Sequence, residues 1–217
     1  MHSLSEENYL KIIYSLSQDD RDKVTLTAIA DALGNNPVSV IDMLRKLGQK
    51  KLTRYNKKQG AKLTEKGNKA AIGVVRRHRL WEAFLSEKLG YGWEAVHDIA
   101  EQLEHVHDDE LADRLDKFLG HPQFDPHGDP IPKANGRMAH TSKTHLLDIA
   151  EGKTCRVVAV KDTTTEFLQY LKRLSINIGT ILKVTEKIAF DESIVIQVER
   201  GKHTTISKKF GQSILVE

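Results

Sequence analysis

The sequence predicts a mainly α-helical protein with a small β domain at its C-terminal end, and three observations carry that expectation. Apolar residues recur at three- and four-residue spacing through most of residues 5–119. A segment rich in proline and glycine, residues 120–145, then breaks the periodicity. From about residue 153 onward, apolar and polar residues alternate in short runs. At 217 residues, 39% of them hydrophobic, the chain can bury a real core as one large domain or as two to three small ones.

Residues 25–47 read TLTAIADALGNNPVSVIDMLRKL. Leu26, Ile29, Ala30 and Leu33 give a first helix one apolar face, Gly34 suits its C-cap, and Asn35, Asn36 and Pro37 form a tight turn. Val40, Leu44 and Leu47 then line a second amphipathic helix. Two short helices joined this way form a helix-turn-helix, whose second helix enters the major groove of DNA. The stretches LTRY and AKLT follow as two strands joined by a basic turn containing Gly60, which makes a wing. Arg45, Lys46, Lys50, Lys51, Arg54, Lys57, Lys58, Lys62 and Lys66 cluster here, with Glu65 almost the only opposing charge. Alone, such a run is an ordinary solvated surface; beside a helix-turn-helix it supplies attraction to phosphates.

Within the second helix, Ser39 and Asp42 are placed to face the groove, with Val38 and Ile41 as contacts for thymine methyls. Asp42 can accept from cytosine N4, or serve as a first-turn residue favoured by the helix dipole. Arg45 and Lys46 are expected at phosphates. Thr25, Asn36, Pro37, Arg54, Lys57, Lys58 and Lys62 complete the expected DNA-binding surface.

Residues 76–119 read as helices with aromatic and leucine-rich faces. Trp81, Phe84, Leu85, Leu89, Trp93, Val96 and Leu103 supply more apolar surface than one short helical segment needs, and a two-fold helical interface is the expected use of the surplus. A helix from Val96 would carry His97, Glu101, Glu104, His105 and Asp108 on one side. His78 and Glu82 form a second pair spaced by four. Each pair alone is ordinary helix surface, but the group as a whole has the composition of a metal site. Oxygen and imidazole donors without sulfur suit Mn²⁺ or Fe²⁺ at least as well as Zn²⁺. A regulatory ion that draws ligands from different helices favours one arrangement of those helices, and so shifts the DNA-binding population. The chain has no HExxH, no nucleophile motif and no glycine-rich phosphate loop, so it is not expected to be an enzyme or to take a small organic substrate. The alternative from another class is a metal-dependent hydrolase with the winged domain as scaffold.

The connector holds Pro122, Pro126, Pro130 and Pro132 with Gly120, Gly128 and Gly136, and a short helix is expected at Lys143–Glu151. TCRVVAV, TILKVTEKIAF, SIVIQVER, HTTISKKF and SILVE read as strands, interrupted by a helix at Glu166–Leu174. That pattern fits a small β-barrel. Cys155, the single cysteine, cannot form an intramolecular disulfide and is expected in a buried strand. MHSLSEENYLKIIY lacks the pattern of a signal peptide and no apolar run is long enough to cross a bilayer, so residence in the cytosol is expected. The net charge of +3 says little about partners.

Taken together, these motifs resemble the diphtheria toxin repressor and manganese transport regulator family, in its longer form with a C-terminal SH3-like, FeoA-like domain. The resemblance spans essentially the whole chain. It is carried by SEENYLKIIY, IADALGNNPVSVIDMLRKL, the wing ending in LTEKG, RRHRLWEAFL, VHDIAEQLEHV and HGDPIP. It implies a cytoplasmic homodimer that binds palindromic operator DNA when loaded with Mn²⁺ or Fe²⁺ and represses metal-uptake genes. The implied domains are a winged helix-turn-helix (1–73), a helical dimerisation and metal-binding domain with the Pro-rich connector (74–145) and an SH3-like β-barrel (146–217).

The same resemblance assigns Asn8, Glu101, Glu104 and His105 to one metal site, and His78, Glu82 and His97 to another. Glu166 and Gln169 match the C-terminal ligand pair of iron-dependent members, although the barrel can equally serve as a stabilising module. Asp125 and His127 fall where streptococcal manganese-dependent members place a cysteine and a histidine. Some positions depart from the family pattern or mix its types. Asn8 stands where manganese regulators have aspartate and iron regulators methionine, and Lys11 replaces a glutamate of the paired-metal site in short manganese regulators. Glu101 matches the manganese type and His97 the iron type, and the balance favours Mn²⁺ over Fe²⁺ by a narrow margin. A gene activator, or a regulator responding to Zn²⁺, is the second regulatory reading.

Overall fold

The structure, a computed structural model, describes residues 2–18, 23–139, 143–199, 201 and 203–217. Helix α1 spans Leu4–Gln18 and opens with a reciprocal cap. The Ser3 N–H donates to Glu6 Oε2 at 3.2 Å while the Glu6 N–H donates to Ser3 Oγ at 3.3 Å, so two otherwise unsatisfied amides are paired. Helix α2 (Leu26–Leu33) is capped by Thr25, whose hydroxyl accepts from the Ala28 N–H, and ends on Gly34 at φ 61°. Helix α3 (Pro37–Gln49) starts from Asn36, whose side chain accepts from the Val38 N–H, with proline in the first turn. Strands β1 (Thr53–Asn56) and β2 (Gly60–Leu63) pair antiparallel as the wing. Helices α4 (Glu65–Glu87), α5 (Val96–Leu103) and α6 (Asp109–Phe118) follow.

The chain divides into two compact units. The first comprises Met1–His78, Glu101–Lys117 and Pro132–Arg137. Its core gathers Leu10 and Ile13 of α1, Ile29 of α2, Val40, Leu44 and Leu47 of α3, and Leu52, all at most 2% exposed. Each is a full apolar burial, stabilising by roughly 2 kcal/mol relative to exposure. Arg76 of α4 reaches Asp113 at 2.9 Å and Asp116 at 3.1 Å, which ties α4 to α6. In the first turn of α4 a Cβ on Gly67 would lie 1.9 Å from the Leu52 carbonyl oxygen. The glycine therefore lets α4 start hard against the backbone that leads into β1.

The second unit comprises Arg79–Ala100, Phe118–Ile131 and Met138–Glu217. Its later part holds β3 (Thr144–His145), a 3₁₀ turn (Leu146–Asp148), β4 (Thr154–Val160), α7 (Thr165–Arg173), β5 (Ile181–Ile188), β6 (Ser193–Val198), β7 (His203–Ile206), α8 (Lys208–Ser213) and β8 (Ile214–Val216). The strands form a six-stranded sheet in the order β3-β8-β4-β5-β6-β7, antiparallel throughout. Leu146, Cys155, Val157, Leu168, Leu171, Leu182, Ile194, Ile206 and Phe210 share its core. The turn after Phe124 is pinned to β4: the Val160 N–H donates to the His127 carbonyl at 3.0 Å. A Cβ on Gly128, at φ +83°, would lie 2.0 Å from the Val158 carbonyl oxygen.

Two element expectations are corrected. No helix spans Lys143–Glu151; Thr144–His145 pair with β8, and only Leu146–Asp148 coil, because Leu146 is drawn fully into the core. HTTISKKF is not one strand; β7 stops at Ile206, where Ser207 accepts from the Phe210 N–H and starts α8. Alanine is ordinarily the better helix former by about 1 kcal/mol. Gly67→Ala is nevertheless expected to destabilise the protein by about 1–3 kcal/mol in urea denaturation, because the added methyl overpacks against a backbone carbonyl.

Candidate metal centres and nucleic-acid interface

In the first unit, Glu104 is the most enclosed acid among the expected ligands, with a side chain 0% exposed. It lies in the turn that follows α5, where burial works against its charge. The hydrogen bond from His78, then the Lys11 ammonium, outweigh that cost and hold the carboxyl below its ordinary range. His78 Nδ1 is 2.6 Å from Oε2, and Lys11 Nζ donates to the same oxygen at 2.8 Å. Lys11 also lies 3.2 Å from Glu101 Oε1. The other carboxylate oxygen of Glu104, Oε1, is shielded from water, accepts no well-directed hydrogen bond and lies 2.8 Å from the Lys11 ammonium. It faces His105 Nε2 at 3.6 Å.

His105 is oriented from its far side. Its Nδ1 is 2.7 Å from Glu7 Oε2, and Arg77 donates to Glu7 Oε1 at 2.9 Å. A carboxylate on one imidazole nitrogen turns the other toward a metal. On α1 the next residue, Asn8, holds an Oδ1 that is likewise buried and without a hydrogen-bond donor. Buried acceptors normally find donors. Asn8 Oδ1 lacks a donor, and a Glu104 oxygen meets only the Lys11 ammonium and an imidazole nitrogen; oxygen and nitrogen donors of this kind fit a divalent cation.

A second ligand-type group lies wholly within the second unit: Glu82, Asp125 and His127 offer ligand atoms within 4.8 Å of one another, all buried. His127 Nε2 is 2.8 Å from the Trp93 carbonyl and its ring stacks on Trp93. A donor on Nε2 leaves Nδ1 directed at Glu82 Oε1, 3.6 Å away. His97 Nδ1 lies 3.1 Å from that same oxygen. Burial, then the charges of Glu82 and Asp129, push the Asp125 carboxyl up to about 7. Burial works against the His127 imidazolium, yet Glu82 and Asp125 outweigh it and raise the ring to about 9. An excess of buried negative charge fits a cation here as well, and no sulfur is present among the donors.

The five-residue face expected on one helix does not form. Helix α5 stops at Leu103, Glu104 and His105 occupy the turn, and Asp108 instead accepts from the Leu111 N–H at the start of α6. His97 and Glu104 consequently serve different groups. His78, one turn before Glu82 on α4, contacts Glu104. Glu166 and Gln169 are exposed on α7, and Glu166 joins neither ligand-type group found among the described residues. Sequence reasoning missed Glu7 and Arg77; a charged residue directly before Asn8 was the available signal.

On the DNA-facing side, Val38, Ser39, Ile41 and Asp42 are exposed along α3, with Val38 at 65%. Thr25, Asn36 and Pro37 act in the helix starts described above. Asp42 pairs with Arg45 at 3.1 Å, both exposed. Arg54, Lys57, Lys58 and Lys62 are exposed on the wing. Lys46, expected at a phosphate, is half exposed and has its Nζ 3.0 Å from Glu6 Oε1, and Lys50 binds the same carboxylate at 2.7 Å. Glu6 is fully buried, which disfavours its charge, but Lys50, Lys46 and the Ser3 N–H hold it down to about 2.

Comparison with known proteins agrees with this layout. Residues 1–61 match the iron dependent repressor N-terminal DNA binding domain, residues 64–133 the iron dependent repressor metal binding and dimerisation domain, and residues 144–217 the FeoA domain. A solved manganese-dependent transcriptional repressor in complex with manganese is 34% identical, with a TM-score of 0.91 over 97% of this chain and 98% of its own. The chain belongs to the iron-dependent repressor family. Among other members of that family, the manganese regulator SloR is 33% identical with a TM-score of 0.82, over 98% of this chain and 97% of its own. The iron-dependent repressor IdeR of Mycobacterium leprae is 26% identical over 97% of this chain and 96% of its length. Among the described residues, no helix is long and apolar enough to cross a membrane.

The Glu6 clamp has a pH signature. Its carboxyl is depressed from 4.5 to about 2, so its contribution is complete above about 4.5 and is lost as pH falls through about 2. Glu6→Gln is expected to cost about 2 kcal/mol near neutral pH. That gap closes as the pH approaches the folded value; urea titrations of both proteins across the acid range measure it.

Proposed function

We propose that this family member is a cytoplasmic, non-enzymatic transcriptional repressor that binds operator DNA as a homodimer when loaded with Mn²⁺ or Fe²⁺, and that it controls metal-uptake genes. The observation that carries the reading is the Glu104–His105 turn, with its fully buried carboxylate facing an imidazole held by Glu7. Asn8, Glu101, Glu104 and His105 are the proposed ligands of one site. Glu82, Asp125, His127 and His97 are those of a second, with His78 positioning Glu104 from α4. Oxygen and imidazole donors without sulfur suit Mn²⁺ and Fe²⁺ alike, and Glu101, which matches the manganese type, favours Mn²⁺ by a narrow margin. The winged helix-turn-helix (1–73), helical (74–145) and SH3-like (146–217) domains divide these tasks; the three family matches, 1–61, 64–133 and 144–217, support that division.

A bound divalent ion supplies positive charge to which α1 and the turn after α5 can both ligate. Glu7 holds the His105 ring with Nε2 turned to the site, and Arg77 holds Glu7 in place. Asn8 brings α1 to the same ligand set. Two residues earlier on α1, Glu6 grips Lys46 and Lys50 at the end of α3, so the position of α1 fixes the recognition helix. Val38, Ser39, Ile41 and Asp42 then meet base edges, while Arg45 and the wing cations neutralise phosphates.

Two tests follow from this reading. Glu104→Ala or His105→Ala is expected to abolish Mn²⁺-dependent operator binding in gel shifts while the circular dichroism spectrum stays folded; unchanged metal dependence in both variants sinks the reading. Lys57→Ala with Lys58→Ala is expected to weaken binding to all DNA sequences alike. It should also reduce the slope of log affinity against log salt by about 1 per lysine, read from titrations at several salt concentrations.

A further inference from the structure

Lys11 stands one helical turn beyond Asn8 on α1, on the same side of the helix. Its side chain is only 12% exposed. The ammonium bridges the two carboxylates proposed as ligands, at 3.2 Å from Glu101 Oε1 and 2.8 Å from Glu104 Oε1. That second oxygen is the one that faces His105 Nε2 and accepts no well-directed hydrogen bond. Lys11 therefore touches it as a charge, at the point where a ligated cation would share it.

We propose that the Lys11 ammonium is a tethered competitor for the divalent ion at Glu101, Glu104 and His105, and that it sets the metal concentration at which the site fills. The proposal rests on the reading of those residues as ligands. Two effects act in the same direction. The ammonium compensates the buried Glu104 carboxylate before an ion arrives, which removes part of the gain from binding. It also repels a divalent ion at short range in a poorly solvated setting, so the lysine must swing aside as the ion enters. A tether keeps the competitor at high effective concentration regardless of the salt outside. Because the competition is one of charge, it shifts the threshold for Mn²⁺ and Fe²⁺ alike.

The test is a calorimetric Mn²⁺ titration of the full chain at fixed pH and salt, comparing wild type with Lys11→Met and Lys11→Arg. Lys11→Met is expected to tighten the Kd by about 10-fold or more, whereas Lys11→Arg, which keeps the charge, stays within about 3-fold of wild type. After chelation, Lys11→Met should melt at a lower temperature than wild type, and saturating Mn²⁺ should remove that difference. In a Glu104→Gln background the gain from Lys11→Met should disappear, which ties it to this site and not to the second group. Equal Kd values for wild type and Lys11→Met, with Mn²⁺ binding that Glu104→Gln weakens, overturn the competitor role and leave the site reading standing. Failure of both to bind Mn²⁺, or binding that Glu104→Gln leaves unchanged, overturns the site reading and the competitor role with it.

Discussion

The first unit is organised around a carboxylate that water cannot reach. An ionised Glu104 in that position is costly unless positive or hydrogen-bonding groups surround it, and each neighbour contributes to meeting that demand. His78 comes from α4, Lys11 from α1, and His105 from the residue alongside. Removing any one leaves the charge under-compensated, so α1, α4 and the turn after α5, far apart in sequence, are held in register by one side chain. A hydrophobic residue of the same size would pack there with less cost, but it would give the surrounding helices nothing to respond to.

Helix α1 turns this local electrostatic demand into something the DNA-facing surface can feel. Its polar contacts run in two directions from consecutive residues. Glu6 reaches to the lysines at the end of α3, while Glu7, and Lys11 one turn later, look to the turn after α5. Leu10 and Ile13 meanwhile bury the apolar face of the helix in the core. Two ion-pair networks thus share one helix.

Much of this was legible in the chain because the signals were local. Thr25, Asn36–Pro37 and Gly34 announce the helix ends by capping chemistry that depends on only a few neighbouring residues. The wing and the strands from β4 to β8 follow from alternation and turn residues. The end of α5 was not legible: LEHVHDD contains neither glycine nor proline, and the chain leaves the helix because Glu104 and His105 find partners on α1 and α4. Helix α8 hid for a different reason: six residues with one large apolar side chain, Phe210, carry no helical period, and the cap at Ser207 starts the helix. The occupation of Lys46 by Glu6, and the orienting role of Glu7, are tertiary facts that no window of sequence contains.

The donor set has a consequence for chemistry in the cell. Neither ligand group contains sulfur, and Cys155 is packed into β4 with its thiol pushed up to about 11 by burial. Peroxides attack thiolates, and a thiol held protonated in an apolar core offers them almost none. A regulator assembled this way offers peroxide no thiolate at its ligand groups, so the donors themselves keep their chemistry as the surrounding milieu swings between reducing and oxidising.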